Sequence, residues 1–161
     1  MGEMKDEGFV VRAADARDVD ALVEFNLAMA RETEAKELSP EVLRAGVAHF
    51  IERPQYGFYV VAEDAGGVVG SLMITYEWSD WRDGLFWWIQ SVYVRPADRR
   101  RGVYRRLYEH VKRLAAADDG EVRGFRLYVE KENRVAQATY ERLGMAETHY
   151  RMYEELRDRD G

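Results

Sequence analysis

Residues 85–94, LFWWIQSVYV, are apolar at nearly every position, and such a segment must be covered on both faces. It reads as a central strand. The chain then passes through RPADRRRG into a segment where Val103, Leu107, Val111 and Leu114 repeat at helical spacing. A strand, a basic loop and a helix start therefore follow one another without a break. Anions bind where backbone N–H groups converge and a helix dipole presents its positive end. Gly102, lacking a Cβ, lets the backbone approach such a ligand closely, and Arg95, Arg99, Arg100, Arg101, Arg105 and Arg106 surround it with charge. Taken locally, the stretch fits a pyrophosphate cradle, a solvated arginine-rich turn, or a nucleic-acid contact.

The rest of the composition narrows these readings. A formal charge of −6 argues against a general nucleic-acid binder. At 161 residues, with 47% hydrophobic and 12% aromatic content, the chain is expected to form one domain with a real core. That domain spans 1–161, with 1–8 and 155–161 frayed. Cysteine is absent, which excludes disulfides, a Cys nucleophile and Cys-ligated metal. The start, MGEMKDEG, is charged, and no apolar run approaches the roughly 18 residues of a membrane span. A cytoplasmic protein without membrane or nucleic-acid partners is the expectation. His49, His110 and His149 fall on different segments and show no metal-ligand spacing.

Before the central strand, residues 9–12 read as a first strand. Asp15 with Asp18 opens a helix carrying Val19, Leu22, Val23, Asn26 and Ala30. Ser39-Pro40-Glu41 opens a second helix with Leu43, Val47, Phe50 and Ile51 on one face, closed by Pro54. Residues 58–63 and 68–76 flank the turn Asp64-Ala65-Gly66-Gly67 as a hairpin, and 80–84 forms another turn. Residues 125–129 alternate as a half-buried strand. A helix follows from Glu132-Asn133 with Ala136, Tyr140 and Leu143, ending at Gly144. From Met145, the alternation of Thr148, Tyr150 and Met152 predicts a last strand. The order β-α-α-β-β-β-α-β-α-β is that of a layered α+β fold.

Two patterns carry a family resemblance. Arg99-x-x-Gly102 lies between strand and helix, and Asn133-x-x-Ala136-x-x-x-Tyr140-x-x-x-Gly144 follows. Together they resemble the GCN5-related N-acetyltransferase family across nearly the whole chain. Tyr104 departs from its pattern, standing where a second small residue is usual. The resemblance implies a mixed, mostly antiparallel sheet with helices on both faces. Within it, the parallel strands 90–94 and 125–129 splay to admit acetyl-CoA. It assigns cofactor contacts to Val92, Tyr93, Val94, Arg99, Arg100, Arg101, Gly102, Val103, Tyr104, Arg105 and Asn133. Tyr140 takes the place of the general acid that protonates the departing thiolate, a step suited to a phenol of pKa near ~10.

The family's usual glutamate base has Gln90 as its counterpart, and glutamine takes no proton. Glu77 is the substitute base, directly or through water. Glu32, Glu34, Asp80, Trp81 and Gln90 are expected around the acceptor, with Asp83 nearby. Trp78 and Trp81 fit either a dimer interface or an acceptor wall. The implied activity is direct transfer from acetyl-CoA, within a ternary complex, to an amine of a small molecule. No metal is required, and a homodimer is expected. The competing reading is a non-catalytic acyl-CoA sensor.

Overall fold

The computed structural model describes residues 8–158. The fraying expected of the first residues and of 159–161 falls outside them, and 155–158 are irregular. The chain divides into two compact units, Met1–Glu130 and Lys131–Gly161.

The first unit is built on a five-stranded sheet in simple sequential order: β1 (Val10–Ala13), β2 (Gly57–Asp64), β3 (Gly67–Ser79), β4 (Gly84–Val94) and β5 (Val122–Arg126). Neighbours pair antiparallel up to β4, and β4 pairs with β5 in parallel. A parallel neighbour requires a crossover. Helix α3 (Val103–Ala117) supplies it. Helices α1 (Val19–Glu34) and α2 (Pro40–Ile51) connect β1 to β2.

Strand alternation divides the core in two. Tyr59 and Val61 of β2 pack with Leu22 and Val23 of α1 and Val47 of α2. Phe58, one position out of phase, meets Trp87 edge-on at 5.4 Å. Trp87 in turn faces Phe125, which Tyr108 of α3 reaches at 5.9 Å. Helices therefore cover both faces of the sheet. The amphipathic α3 buries Val103, Leu107, Tyr108 and Val111, while its charged residues remain outside.

The helix starts follow their caps. Asp15 and Asp18 form a reciprocal capping box around a 3-10 turn that leads into α1. The Asp18 carboxylate also takes two bonds from Arg12 of β1, at 2.8 and 2.9 Å, and Arg12 reaches Glu63 of β2 at 2.9 Å. Burial alone would raise Asp18, but Arg12 and the Asp15 N–H outweigh it and hold the carboxyl below its ordinary value. Ser39 caps α2 through Val42 N, with Pro40 in the first turn.

Two expectations need correction. The strand expected over 125–129 is β5 at Val122–Arg126, so the alternating segment begins earlier and stops sooner. The strand expected from Met145 does not form: after α4 (Arg134–Arg142) the described chain is irregular, with Tyr150, Met152 and Tyr153 exposed. Alternation makes a sequence competent for a strand, but a strand needs a ladder partner. The second unit holds no strand among its described residues.

Candidate functional site

The site is set by how β4 ends. Its pairing with β5 runs from Leu85↔Val122 to Trp88↔Arg126, where β5 stops and β4 continues to Val94. Beyond Trp88 the parallel pair is open, and among the described residues no strand takes that edge. On the other side, Met73 pairs with Gln90 but Ser71 pairs with Tyr93. Two β4 residues, Ser91 and Val92, thus oppose Leu72 alone. This is a β-bulge, and Ser91 adopts φ 49°. The bulge puts Tyr93 on the α1 side of the sheet, its ring 5.1 Å from that of Phe25.

Past β4 the chain makes a 3-10 turn at Pro96–Asp98. Asp98 is 5% exposed and binds Arg95 Nε at 2.8 Å and Arg101 on its other oxygen. Burial opposes its charge, yet these arginines hold the carboxyl below its ordinary value. The loop next enters the left-handed region at Arg100 (φ 65°) and again at Gly102 (φ 74°), which is the N-cap of α3. Gly102 has no side chain with which to cap α3, whereas Ser39 and Asn133 cap α2 and α4. The positive end of the α3 dipole favours an anion here. A Cβ on Gly70 would lie 2.9 Å from Val103 Cγ1 and 3.1 Å from Tyr93 O, so glycine lets α3 begin close against β3. A helix start behind two left-handed residues suits an anion.

Not every expected cation points at this seat. Arg101 also approaches Asp64 at 3.7 Å and lies over the Phe9 ring. Arg106 donates to Phe9 O at 3.1 Å and stacks on the same ring. Both fasten the loop and α3 to Phe9, just ahead of β1, and Arg101 also to the end of β2. Arg100 is exposed, and Arg105 lies 4.0 Å from Glu109 along the helix. Arg99 donates from Nε to Val94 O at 3.0 Å and to Glu32 at 2.7 Å. The Tyr104 ring stacks on Tyr108 one turn on, at 6.1 Å and 6°. That interaction gives the unexpected tyrosine a packing role within the helix.

Bordering the open pair, Gln90 donates from Nε2 to Thr75 Oγ1 at 2.7 Å. Glu77, two residues along β3 on the same face, forms an ion pair with Arg126 of β5, whose guanidinium lies 3.7 Å above the Phe86 ring. Trp88 and Tyr128 approach at 6.2 Å. Gln90 and Glu77 are thus brought to one face. Asp80 and Trp81 are not: they occupy the hairpin tip, roughly 20 Å along β3 from the Gln90 pairing position. There Asp80 accepts from Trp81 N, and Trp81 is 88% exposed. Glu32 and Glu34 border a cleft of about 470 Å³ lined also by Arg31, Thr33, Lys36 and Glu130. Glu34 sits 3.8 Å from Lys36.

In the second unit, Asn133 caps α4 by accepting from Ala136 N at 3.2 Å, which explains the Asn-x-x-Ala spacing on structural grounds. Tyr140 lies in the middle of α4, and burial pushes its phenol above the ordinary value. Sequence reasoning missed Thr75, Arg126 and the Tyr93–Glu32 contact. Each is defined by cross-strand register or by helix-to-sheet packing, which no local spacing encodes. Among the described residues no group of His, Asp or Glu is arranged to hold a metal ion, and no helix is long and apolar enough to cross a membrane.

A mixed sheet whose parallel pair opens beside a helix entered through Gly102 is an acyltransferase type of fold. The chain belongs to the Acetyltransferase (GNAT) family, whose profile matches residues 21–145. Among solved structures, a possible acetyltransferase from Clostridium difficile 630 is 45% identical, with a TM-score of 0.85 over 93% of this chain and 98% of that one. A predicted acetyltransferase with acetyl-CoA from Clostridium acetobutylicum shares the fold at 16% identity and TM-score 0.75, over 91% of this chain and 96% of that one. AAC(6')-Iy in complex with the bisubstrate analog CoA-S-monomethyl-acetylneamine does so at 16% and 0.73, over 93% and 99%. None of the curated proteins matches the sequence.

Proposed function

We propose that the chain, as a single acyltransferase domain over 1–161, transfers the acetyl group of acetyl-CoA directly to the amine of a small molecule in a ternary complex. The observation that carries this reading is the opening of β4 from β5 past Trp88↔Arg126, beside an α3 start entered through left-handed Arg100 and Gly102. Family membership supplies the acetyl donor class. Acetyl-CoA brings the acetyl group as a thioester.

The N–H groups at Gly102 and Val103, with Arg99, Arg100 and Arg105, hold the diphosphate. Backbone groups of Val92, Tyr93 and Val94 bind the pantetheine amides, and Asn133 contacts the cofactor nearer its acyl end. The amine nitrogen forms its bond to the acetyl carbon as the carbon–sulfur bond breaks. A β4 backbone N–H stabilises the intervening oxyanion. The Tyr140 hydroxyl gives its proton to the departing thiolate. Burial raises its pKa, so the phenol keeps its proton until the thiolate forms.

The attacking amine must lose a proton. Glu77, ion-paired to Arg126, takes that proton through water, with Gln90 ordering the water from the same face. Glu32 and Glu34 favour a cationic acceptor at the adjoining cleft. The protein acts in the cytoplasm as a homodimer.

The test is release of free CoA across a panel of small amines, polyamines and lysine peptides, with sedimentation analysis of the same preparation. Turnover of a small amine supports the assignment. Tight acetyl-CoA binding without turnover of any amine would replace it with the sensor reading.

A further inference from the structure

Arg99 is the arginine of the loop motif, yet each of its contacts is internal. Its Nε donates to Val94 O, and its terminal nitrogen binds Glu32 Oε2 at 2.7 Å. Its guanidinium lies 5.5 Å from the centre of the Tyr93 ring. The Tyr93 hydroxyl donates to the other Glu32 oxygen at 3.0 Å. Glu32 stands in the last turn of α1, far from Arg99 in sequence. One carboxylate thus fastens the end of α1 to the loop and keeps Arg99 folded back over the open end of β4. Burial and the bond to Glu32 both raise the Tyr93 phenol, so it persists as a donor.

Resting on the acetyl-CoA reading above, we propose that Glu32 is a positioning residue that tethers Arg99 in the ligand-free protein and yields it to the cofactor. Two groups compete with the tether. A diphosphate offers Arg99 more negative charge than one carboxylate does. A pantetheine amide N–H reaching the Val94 carbonyl would share that oxygen with Arg99 Nε and weaken the bond made there. Binding therefore exchanges the Arg99–Glu32 pair for an Arg99–diphosphate pair, and Tyr93 retains the freed carboxylate on the α1 side. The pair is half-exposed, at 46% for Arg99 and 39% for Glu32. Pairs of that exposure are weak, so the tether alters cofactor affinity by about two- to fivefold rather than closing the site.

The sign of the effect separates this role from a merely structural one. A Glu32 that preorganised the loop for its ligand would weaken binding when removed. A Glu32 that withholds Arg99 strengthens it. Calorimetric titration of acetyl-CoA into the full chain reads the difference. Glu32→Gln is expected to lower Kd about two- to fivefold, and Tyr93→Phe to lower it less, because the carboxylate loses one of its two anchors. Glu24→Gln removes the same charge from an exposed position of the same helix with no contact to Arg99, and should leave Kd unchanged. Melting curves confirm that each variant is folded. A Kd that is unchanged or higher in Glu32→Gln overturns the tether. Equal tightening by Glu24→Gln overturns it as well, assigning the effect to net charge. If neither the wild type nor any variant binds acetyl-CoA, the cofactor reading itself fails, and the tether with it.

Discussion

Gln90 and Thr75 are joined across β3 and β4 by a 2.7 Å hydrogen bond from the glutamine amide to the threonine hydroxyl. The bond fixes a neutral side chain on the sheet face that Glu77 also occupies. If position 90 borders the acceptor, Gln90→Glu supplies a carboxylate where only an amide stands. A positioned general base contributes about 10²- to 10⁴-fold. Even imperfect placement is expected to raise kcat/KM for the amine at least about tenfold at neutral pH, with no change in acetyl-CoA affinity. Steady-state kinetics with both substrates varied check this, and a kcat/KM no higher than wild type removes position 90 from the acceptor site.

Tyr140→Phe deletes the proposed acid while keeping the ring. The expected result is a loss of about 100-fold in kcat, with acetyl-CoA affinity unchanged. Because burial raises the phenol from its ordinary 10.0, the neutral donor form persists as the solution becomes alkaline. The alkaline limb of kcat due to this group therefore lies above pH 10. A limb centred below that value in the wild type, or full activity in the phenylalanine variant, would assign the proton to another donor.

Acid stability should follow Asp18 and Asp98. Both carboxyls are held below their ordinary 3.8 in the folded chain, so the unfolded chain binds their protons first. Their contribution is complete above that ordinary value and disappears as the pH falls through the lowered folded values. Asp18→Asn is expected to cost about 1–3 kcal/mol at pH 7, since Asp18 is 3% exposed and Arg12 loses its main partner. Its melting temperature should also fall less steeply than the wild type's between pH 5 and pH 3. Parallel curves for the two proteins would contradict the linkage.

Gly70→Ala tests the close seating of α3. The new Cβ would approach Val103 Cγ1 at 2.9 Å, which a packed core absorbs only by moving the helix start. A loss of about 1–3 kcal/mol is expected, together with weaker acetyl-CoA binding. Adding Val103→Ala removes the clashing methyl and should restore part of the binding, although the second truncation destabilises in its own right. Calorimetry on the single and double variants measures the coupling.

Elements and site differ in how far the sequence disclosed them. The capping box at Asp15 and Asp18, the Ser39-Pro40 helix start and the unbroken apolarity of β4 are local signals, and each element stands where its signal lies. The last strand failed for the complementary reason: alternation at Thr148, Tyr150 and Met152 is local, whereas a ladder is not. In the site, the glycine and arginine spacing located the loop. Nothing in that spacing distinguished Arg101 and Arg106, which fasten to Asp98 and Phe9, from an arginine facing a ligand. Arg126 looked like the polar side of a strand, and only the parallel register sets it opposite Trp88 and against Glu77.

Because of the bulge at Ser91, β4 is read in two frames. Upstream, even-numbered residues such as Trp88 and Gln90 share the α1 side of the sheet; downstream the odd-numbered Tyr93 joins them. Regular alternation at the same length would leave composition and apolarity untouched. It would nevertheless exchange the two faces of everything that follows, turning Tyr93 toward α3 and Val94 toward α1. The arginine loop inherits its orientation from the bulge that absorbs the surplus residue. A β4 one residue shorter would need no bulge to keep Tyr93 opposite Ser71 on the α1 side.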